Sequence, residues 1–92
     1  MIRSFRDAEA KKLFNDKFSK KYQVIERVAQ RKLTALDEAE ALQDLAGLLG
    51  NHPEAFKGDR KGQYSIRIND QYRVTFRWEQ GHAYEVRIED YH

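Results

Sequence analysis

Apolar residues near the start of the chain recur at the three- and four-residue spacing of a helix face. Ser4 and Asp7 resemble a capping box, so we expect a first helix over about 7–16. Its apolar positions are Ala10, Leu13, Phe14 and Phe18. A second, longer helix is predicted from Tyr22 to Leu36, where one face is apolar and the other carries Lys, Arg and Gln. We expect these two helices to pair as a hairpin.

A shorter amphipathic segment follows. Leu42, Leu45 and Leu49 share one side of it, and acidic residues lie near its beginning, where they suit a helix N-terminus. This pattern predicts a short third helix. It would end at the helix-terminating residues Gly50, Asn51 and Pro53.

Beyond Gly62 the apolar period changes from helical to two, which predicts β-strands. The strands would cover about 64–68, 72–78 and 84–88, joined by a turn at Asn69-Asp70 and by the loop EQGH. Met1–Phe5 has the short apolar pattern of an edge strand. One face of the sheet would be apolar and covered by the helices. We therefore predict an α+β fold with two to three N-terminal helices packed on a curled antiparallel sheet.

Length and composition place the chain in a broad class. Its 92 residues fit one domain, 1–92, with a modest core, and it contains no cysteine that could form a disulfide or a thiolate metal site. The first residues lack the apolar run of a signal peptide, and no later segment approaches the length of a membrane span. We expect a cytoplasmic protein.

Charge is unevenly distributed along the chain. The total of 17 basic and 15 acidic residues is nearly balanced, but residues 57–77 hold six basic and two acidic residues. Strand alternation places the arginines of this block on the polar face of the sheet, opposite the helices. The polar face and its approach are predicted to carry Lys57, Arg60, Lys61, Arg67, Arg73 and Arg77. Such a face suits a polyanion.

The chain closes with three chemically versatile residues, Asp90, Tyr91 and His92, directly after the last predicted strand. Because strand 72–78 neighbours this strand in a meander, the cationic face and the closing residues could lie within reach of one another. RNA cleavage by its own 2′-hydroxyl needs proton transfer at two oxygens and cations on the charged phosphorane. Imidazole is suited to proton transfer near neutral pH, and Arg can hold a phosphate with two hydrogen bonds. This chemistry requires no metal or other cofactor.

The stretch KGDRKGQYSIRINDQYRVTFRW, together with the closing EDYH, resembles the HigB branch of the RelE superfamily, the toxins of type II toxin–antitoxin pairs. The resemblance extends over nearly the whole chain. It implies a small ribonuclease that enters the A site of the 70S ribosome and cuts messenger RNA. It also implies a HigA-like helix-turn-helix antitoxin, through which the toxin–antitoxin complex would bind operator DNA.

The resemblance also implies roles for individual residues. The phosphate-contacting Lys and Arg of the family fall on Lys57 and Arg73, and its acid–base group falls on Asp90, Tyr91 and His92. The sequence departs from some members at Glu54, where they have a His three residues before the Lys. We interpret His52 as a loop residue and His82 as solvated, and we assign a site role to neither.

Other functions compete with this interpretation. A non-catalytic RNA- or ribosome-binding module would need only phosphate contacts from Arg67, Arg73 and Arg77. A ParE-like toxin would share the fold and act on DNA gyrase, but it has no need for Lys57, Arg73 and His92 together. A metal site from Glu89, Asp90 and His92 is disfavoured, because ligands so close together at one end of the chain lack a second anchor.

Overall fold

The computed structural model describes residues 1–49, 54–55, 60 and 62–90. The described part of the chain forms helices α1 (Ala8–Phe14), α2 (Glu26–Glu38) and α3 (Leu42–Leu49), with a 3₁₀ turn at Gln23–Ile25. The strands are β1 (Glu54–Ala55), β2 (Gln63–Arg67), β3 (Tyr72–Glu79) and β4 (His82–Asp90). The α+β class predicted from the sequence is confirmed.

Within the described ranges, the strands form one antiparallel sheet in the order β1-β2-β3-β4. β1 has two residues and pairs with β2 through Glu54 and Ser65, which the sequence pattern did not indicate. The N-terminal segment lies along the other edge of the sheet. There Ile2 and Phe5 form parallel bridges with Ala83 and Val86 of β4, as expected for an edge segment.

The core lies between the helices and one face of the sheet. Leu13 of α1 and Leu33 and Leu36 of α2 are fully buried, as are Val74 and Phe76 of β3. Burial of such side chains contributes roughly 1.5–3 kcal/mol each, so this layer supplies the main stabilisation of the fold. The opposite face of the sheet is left to polar residues.

The first helix is shorter than predicted, and its cap differs. Asp7 is the N-cap and accepts a hydrogen bond from the Glu9 amide (3.0 Å). The Ser4 hydroxyl lies elsewhere and accepts from the Glu85 amide of β4 (2.8 Å), so the capping-box interpretation was wrong. The helix ends at Phe14, and Asp16 has a positive φ of 60° that a helix cannot continue. Phe18 consequently lies outside the helix and is 64% exposed.

The predicted start of the second helix is a 3₁₀ turn after Tyr22, and the α-helix proper begins at Glu26. The third helix is present over Leu42–Leu49. The residues predicted to end it, Gly50, Asn51 and Pro53, lie outside the described residues. The turn between β2 and β3 is confirmed: the Asn69 carboxamide oxygen accepts from the amides of Gln71 (2.9 Å) and Tyr72 (2.7 Å).

Candidate functional site

The polar face of the sheet, hereafter the outer face, is built by strand alternation. Arg67 of β2 lies directly opposite Arg73 of β3, and Arg73 in turn lies opposite Glu89 of β4. Ser65 and Thr75, the neighbouring pair, are 1% and 0% exposed. The outer face therefore has small, buried polar residues at its centre, and longer arginine side chains surround them. The sequence pattern predicted the arginines but not the burial of these polar residues.

Arg60 spans the outer face. Its guanidinium donates two hydrogen bonds to the Glu89 carboxylate, from Nη1 to Oε1 (3.2 Å) and from Nη2 to Oε2 (2.5 Å). Nη2 also donates to the Gln63 side-chain oxygen on β2 (3.0 Å). Because Gln63 lies on β2 and Glu89 on β4, this one side chain links the two strands that flank β3. A fork-shaped guanidinium is suited to such two-point pairing with a carboxylate.

Glu89 is held as an anion at the centre of this arrangement. Burial by itself raises the pKa of the Glu89 carboxyl, but the hydrogen bonds and charge of Arg60, with the charge of Arg87, outweigh it. The net result is a pKa below the ordinary value of 4.5. A charged carboxylate therefore lies beside Arg73 at neutral pH.

Two further arginines of the face, Arg67 and Arg77, have acidic partners. Arg67, an exposed side chain, pairs with Asp70 in the turn after β2. Arg77 pairs with Glu79 on its own strand, and its guanidinium lies 4.8 Å from the centroid of the Tyr84 ring. These ion pairs are partly or largely exposed, so an incoming phosphate can compete with the carboxylates at small cost.

Tyr84 occupies a face that the alternation pattern did not predict. Tyr84 was expected on the apolar side with Val86 and Ile88, but it lies opposite Arg77 on the outer face. The register of β3 and β4 shifts between Thr75 and Arg77, and Glu85 has a positive φ of 55°. A β-bulge of this kind inserts one residue and reverses the faces on one side of it. It gives Arg77 an aromatic partner.

The C-terminal end of β4 lies next to Arg73 in the sheet. Asp90 is directly opposite Tyr72, one position along from the Arg73–Glu89 pair. Successive side chains of a strand point to opposite faces, so the Asp90 carboxylate shares the side of Tyr72 and Glu89 shares the side of Arg73. The Asp90 carboxylate accepts a hydrogen bond from the Gln71 side chain (3.1 Å). Glu89, which the sequence analysis considered only as a metal ligand, is thus the acidic residue nearest to Arg73 in register.

Four residues predicted for the site, Lys57, Lys61, Tyr91 and His92, lie outside the described residues, as does His52. His82, predicted to be solvated, is the first residue of β4 and half-buried, with its Nε2 3.5 Å from the Arg3 guanidinium.

A cleft of about 310 Å³ opens at the same end of β4. Its lining includes Lys21, Tyr22, Tyr72, Arg87 and Asp90. The cleft combines two cations and two aromatic rings with the carboxylates of Glu89 and Asp90.

Tyr22 is one of the buried residues that line this cleft. Its hydroxyl lies 3.2 Å from the Asp7 carboxylate and 3.4 Å from the main-chain oxygen of Ile88. Burial, followed by the charge of Asp7 and the hydrogen bond to it, raises the pKa of the Tyr22 phenol far above its ordinary value of 10. Tyr22 therefore keeps its proton. The apolar period predicted Tyr22 on the buried face of a helix but not this polar contact, because a helical pattern does not show which strand the helix packs against.

Two further properties concern the described ranges alone. In them, no group of three or more His, Cys, Asp or Glu residues is arranged to hold a metal ion. Nor does any helix in the same ranges have the length and apolar character needed to cross a membrane.

Fold and site together define a small α+β protein whose sheet presents arginines beside the end of its last strand. The chain belongs to the HigB-like family, the RelE-like toxins of the type II toxin–antitoxin system HigB, whose family model matches residues 3–92. It is 36% identical to Toxin HigB-1 of Vibrio cholerae serotype O1 over 93 residues, which cover 97% of this chain and 96% of that protein. It is also 36% identical over 95 residues to Endoribonuclease HigB of Proteus vulgaris, with the whole of both chains covered. Membership of a toxin–antitoxin family implies an antitoxin partner.

Proposed function

We propose that this toxin is an endoribonuclease that cleaves messenger RNA in the ribosomal A site and thereby stops translation. One observation carries the proposal: in a HigB-like chain, the β3–β4 register brings Arg73 beside the closing end of β4, where the predicted acid–base residues follow. The Proteus vulgaris relative is named as an endoribonuclease, which supports the same activity.

The chemistry needs no metal. The 2′-oxygen of a ribose attacks the adjacent 3′ phosphate as a base removes its proton, and the bond from phosphorus to the 5′-oxygen breaks as an acid protonates the leaving group. The products are a 2′,3′-cyclic phosphate and a 5′-hydroxyl. We assign the proton transfers to Asp90, Tyr91 and His92, and stabilisation of the charged phosphorane to Arg73 and Lys57.

Binding would be shared by many cations. Each Lys or Arg that replaces a counterion on the phosphate backbone adds a modest, salt-dependent increment to affinity. We assign this role to Arg60, Lys61, Arg67 and Arg77. In the described structure the three arginines already have carboxylate partners, so RNA would exchange one anionic partner for another.

The proposed partners follow from the same role. They are the 70S ribosome with its messenger RNA and a HigA-like helix-turn-helix antitoxin, through which the complex would bind operator DNA. Since its substrate would be messenger RNA on translating ribosomes, we place the protein in the cytoplasm.

Cleavage on programmed ribosomes tests the proposal. Purified toxin is mixed with ribosomes carrying a defined codon in the A site, and the message is examined for a cut in that codon and for a cyclic phosphate end. His92→Gln is compared with the wild type, and ribosome binding is measured separately. We expect the variant to lose roughly 10²- to 10⁴-fold in rate with little change in affinity, because proton transfer depends on one positioned group.

Three results would contradict this account. If the wild type leaves ribosome-bound message intact, the nuclease assignment is wrong. If His92→Gln cleaves at a near-normal rate, proton transfer belongs to Asp90 or Tyr91. If binding falls in step with cleavage, His92 is a docking residue.

A further inference from the structure

Asp7 ties the start of α1 to the end of β4. One carboxylate oxygen, Oδ1, accepts from the Glu9 amide and caps the helix (3.0 Å). The other, Oδ2, accepts from the Tyr22 hydroxyl (3.2 Å) and from the main-chain amide of Ile88 (3.3 Å). A helix cap needs only the first of these contacts. The second oxygen, Oδ2, therefore has a separate role: it binds the main chain of β4 at Ile88.

Tyr22 holds the same residue of the strand from its oxygen side. Its hydroxyl lies within hydrogen-bonding distance of the Ile88 main-chain oxygen (3.4 Å) as well as of Asp7. The side chain is only 3% exposed, and its ring packs edge-on against Tyr72, with centroids 5.8 Å apart. Since the phenol keeps its proton, it remains a donor. Both main-chain polar groups of Ile88 are thus approached by side chains.

These contacts continue the pairing of the N-terminal segment with β4, along the edge of β4 that faces away from β3. The N-terminal segment bonds to β4 through Ser4 and Arg6, whose main-chain groups pair with the amide and the oxygen of Val86. Every second residue of a strand directs its main-chain groups to the same edge, so Ile88 is the next position. There the main chain of the N-terminal segment is replaced by the side chains of Asp7 and Tyr22.

The pinned position lies close to the proposed chemistry. On the side of β4 that faces β3, Ile88 pairs with Val74, the residue after Arg73. Ile88 precedes Asp90 by two residues. Two residues of extended chain reach at most about 7 Å, so fixing Ile88 limits where the Asp90 carboxylate can lie. Misplacement of a catalytic group by about 1 Å can cost a factor of roughly 10² in rate.

We infer that Asp7 and Tyr22 are positioning residues of the toxin, which clamp β4 at Ile88 and so hold the acid–base end of the strand in place beside Arg73. Neither touches RNA in this role. The inference rests on the proposed nuclease function, because it assigns the clamp to the geometry of that reaction.

Tyr22→Phe tests the clamp by removing one oxygen and keeping the ring that packs on Tyr72. We expect the cleavage rate at saturating ribosomes to fall roughly 10- to 100-fold while ribosome affinity stays at the wild-type value. Amide hydrogen exchange, followed by NMR, should become faster at Ile88 and Asp90 and remain unchanged at Ala83. This exchange readout does not depend on catalysis.

A second variant and a control separate positioning from general destabilisation. Asp7→Asn can keep the helix cap, because Asn is as good an N-cap as Asp, but it has only one acceptor oxygen for the two sets of contacts. It should reproduce the Tyr22→Phe phenotype. Tyr64→Phe is the control, since Tyr64 lies on β2 and its ring packs against Phe76 of β3, away from the end of β4. It should leave rate and exchange unchanged.

The outcomes are distinguishable. If the wild type does not cleave, the proposed function fails, and the exchange data alone decide whether the clamp exists. If the wild type cleaves and Tyr22→Phe cleaves equally well, the positioning role is overturned. It is also overturned if affinity falls together with rate, or if both clamp variants lose the folded structure, which would make the pair a folding element.

Discussion

Glu89 is an acidic residue surrounded by arginines at the centre of the outer face. It lies opposite Arg73 and receives two hydrogen bonds from Arg60. Removing one partner of a partly buried ion pair costs more than the pair itself contributes, because the other charge is left without compensation. Glu89 therefore has two roles at the residue scale: it holds Arg60 across the sheet, and it offsets part of the positive charge beside Arg73.

The lowered pKa of Glu89 predicts a pH-dependent contribution to stability. A carboxyl with a pKa lower in the folded than in the unfolded state stabilises the fold above its unfolded pKa, near 4.5, and this contribution is lost as pH falls through the folded pKa. We expect Glu89→Gln to reduce the free energy of unfolding by about 1 kcal/mol at pH 7. The difference from wild type should shrink below pH 4.5, as measured by urea unfolding.

Asp70→Asn is the matched control for this measurement. Asp70 also pairs with an arginine, Arg67, but its side chain is 92% exposed, so its removal should change stability little. A Glu89→Gln effect that stays constant from pH 7 to pH 3 would contradict the assignment of the stabilisation to the charged pair.

Arg73→Ala should separate activity from folding. Arg73 lies on the outer face between Arg67 and Glu89, away from the apolar core. Substitution there should change the free energy of unfolding by less than about 0.5 kcal/mol. Loss of a charge on the phosphorane should lower the cleavage rate by roughly 10²- to 10³-fold.

Arg67→Ala serves as the comparison, because it removes a neighbouring exposed arginine from the same face. We expect it to weaken binding modestly and to leave the rate at saturation unchanged. If thermal melting shows that Arg73→Ala unfolds far more readily than Arg67→Ala, then Arg73 is a structural ion-pair residue.

At the scale of elements, the β3–β4 hairpin depends on its two-residue turn. Gln80 and Gly81 have φ values of 51° and 80°, the positive pair that matches the right-handed twist of the flanking strands. A Cβ added at Gly81 would lie 3.3 Å from the Glu40 main-chain oxygen, between α2 and α3. The turn therefore packs against the helical layer as well as joining the strands.

Gly81→Ala should destabilise the protein more than Gly62→Ala. Both glycines have positive φ, so both substitutions carry a conformational cost of roughly 1–2 kcal/mol. A Cβ at Gly62 meets open space, whereas one at Gly81 approaches Glu40. Urea unfolding of the two variants measures the difference. Equal losses of stability would show that the Glu40 main chain moves away from the added Cβ without a measurable change in the free energy of unfolding.

At the scale of the whole molecule, function depends on where charge is placed. The formal net charge is only +2, but arginines cluster on one face of the sheet and the helices cover the other. A nearly neutral protein with one cationic face can approach an RNA-rich partner in a defined orientation. This arrangement fits the proposed ribosomal target.

Expression of the toxin without an antitoxin should stop protein synthesis before DNA synthesis. The reason is that cleavage of message on ribosomes blocks translation directly, whereas a gyrase-directed toxin would arrest replication first. Incorporation of labelled amino acids and of labelled thymidine after induction measures both. The Arg73→Ala variant is the control and should leave both rates unchanged. Early loss of DNA synthesis with continuing translation would favour the ParE-like alternative.

Much of the fold could be predicted from local pattern. The helical period over α2, the period of two over β2 and β3, and the turn at Asn69-Asp70 were all confirmed, because each depends on residues close together in the chain. The candidate site was predicted in part from the density of arginine in β2 and β3. The roles of Lys57, Tyr91 and His92 stay predictions that rest on family resemblance.

The amino-acid sequence by itself determined which elements form and which face of each is apolar, since backbone periodicity and side-chain polarity are local properties. Tertiary structure decided which distant residues meet. Asp7 and Tyr22 reach Ile88, Arg60 reaches Glu89, and a bulge moves Tyr84 to the outer face. These features depend on strand register and on how helices cross the sheet. A repeating pattern of apolar residues is satisfied by many such arrangements, and packing selects one of them.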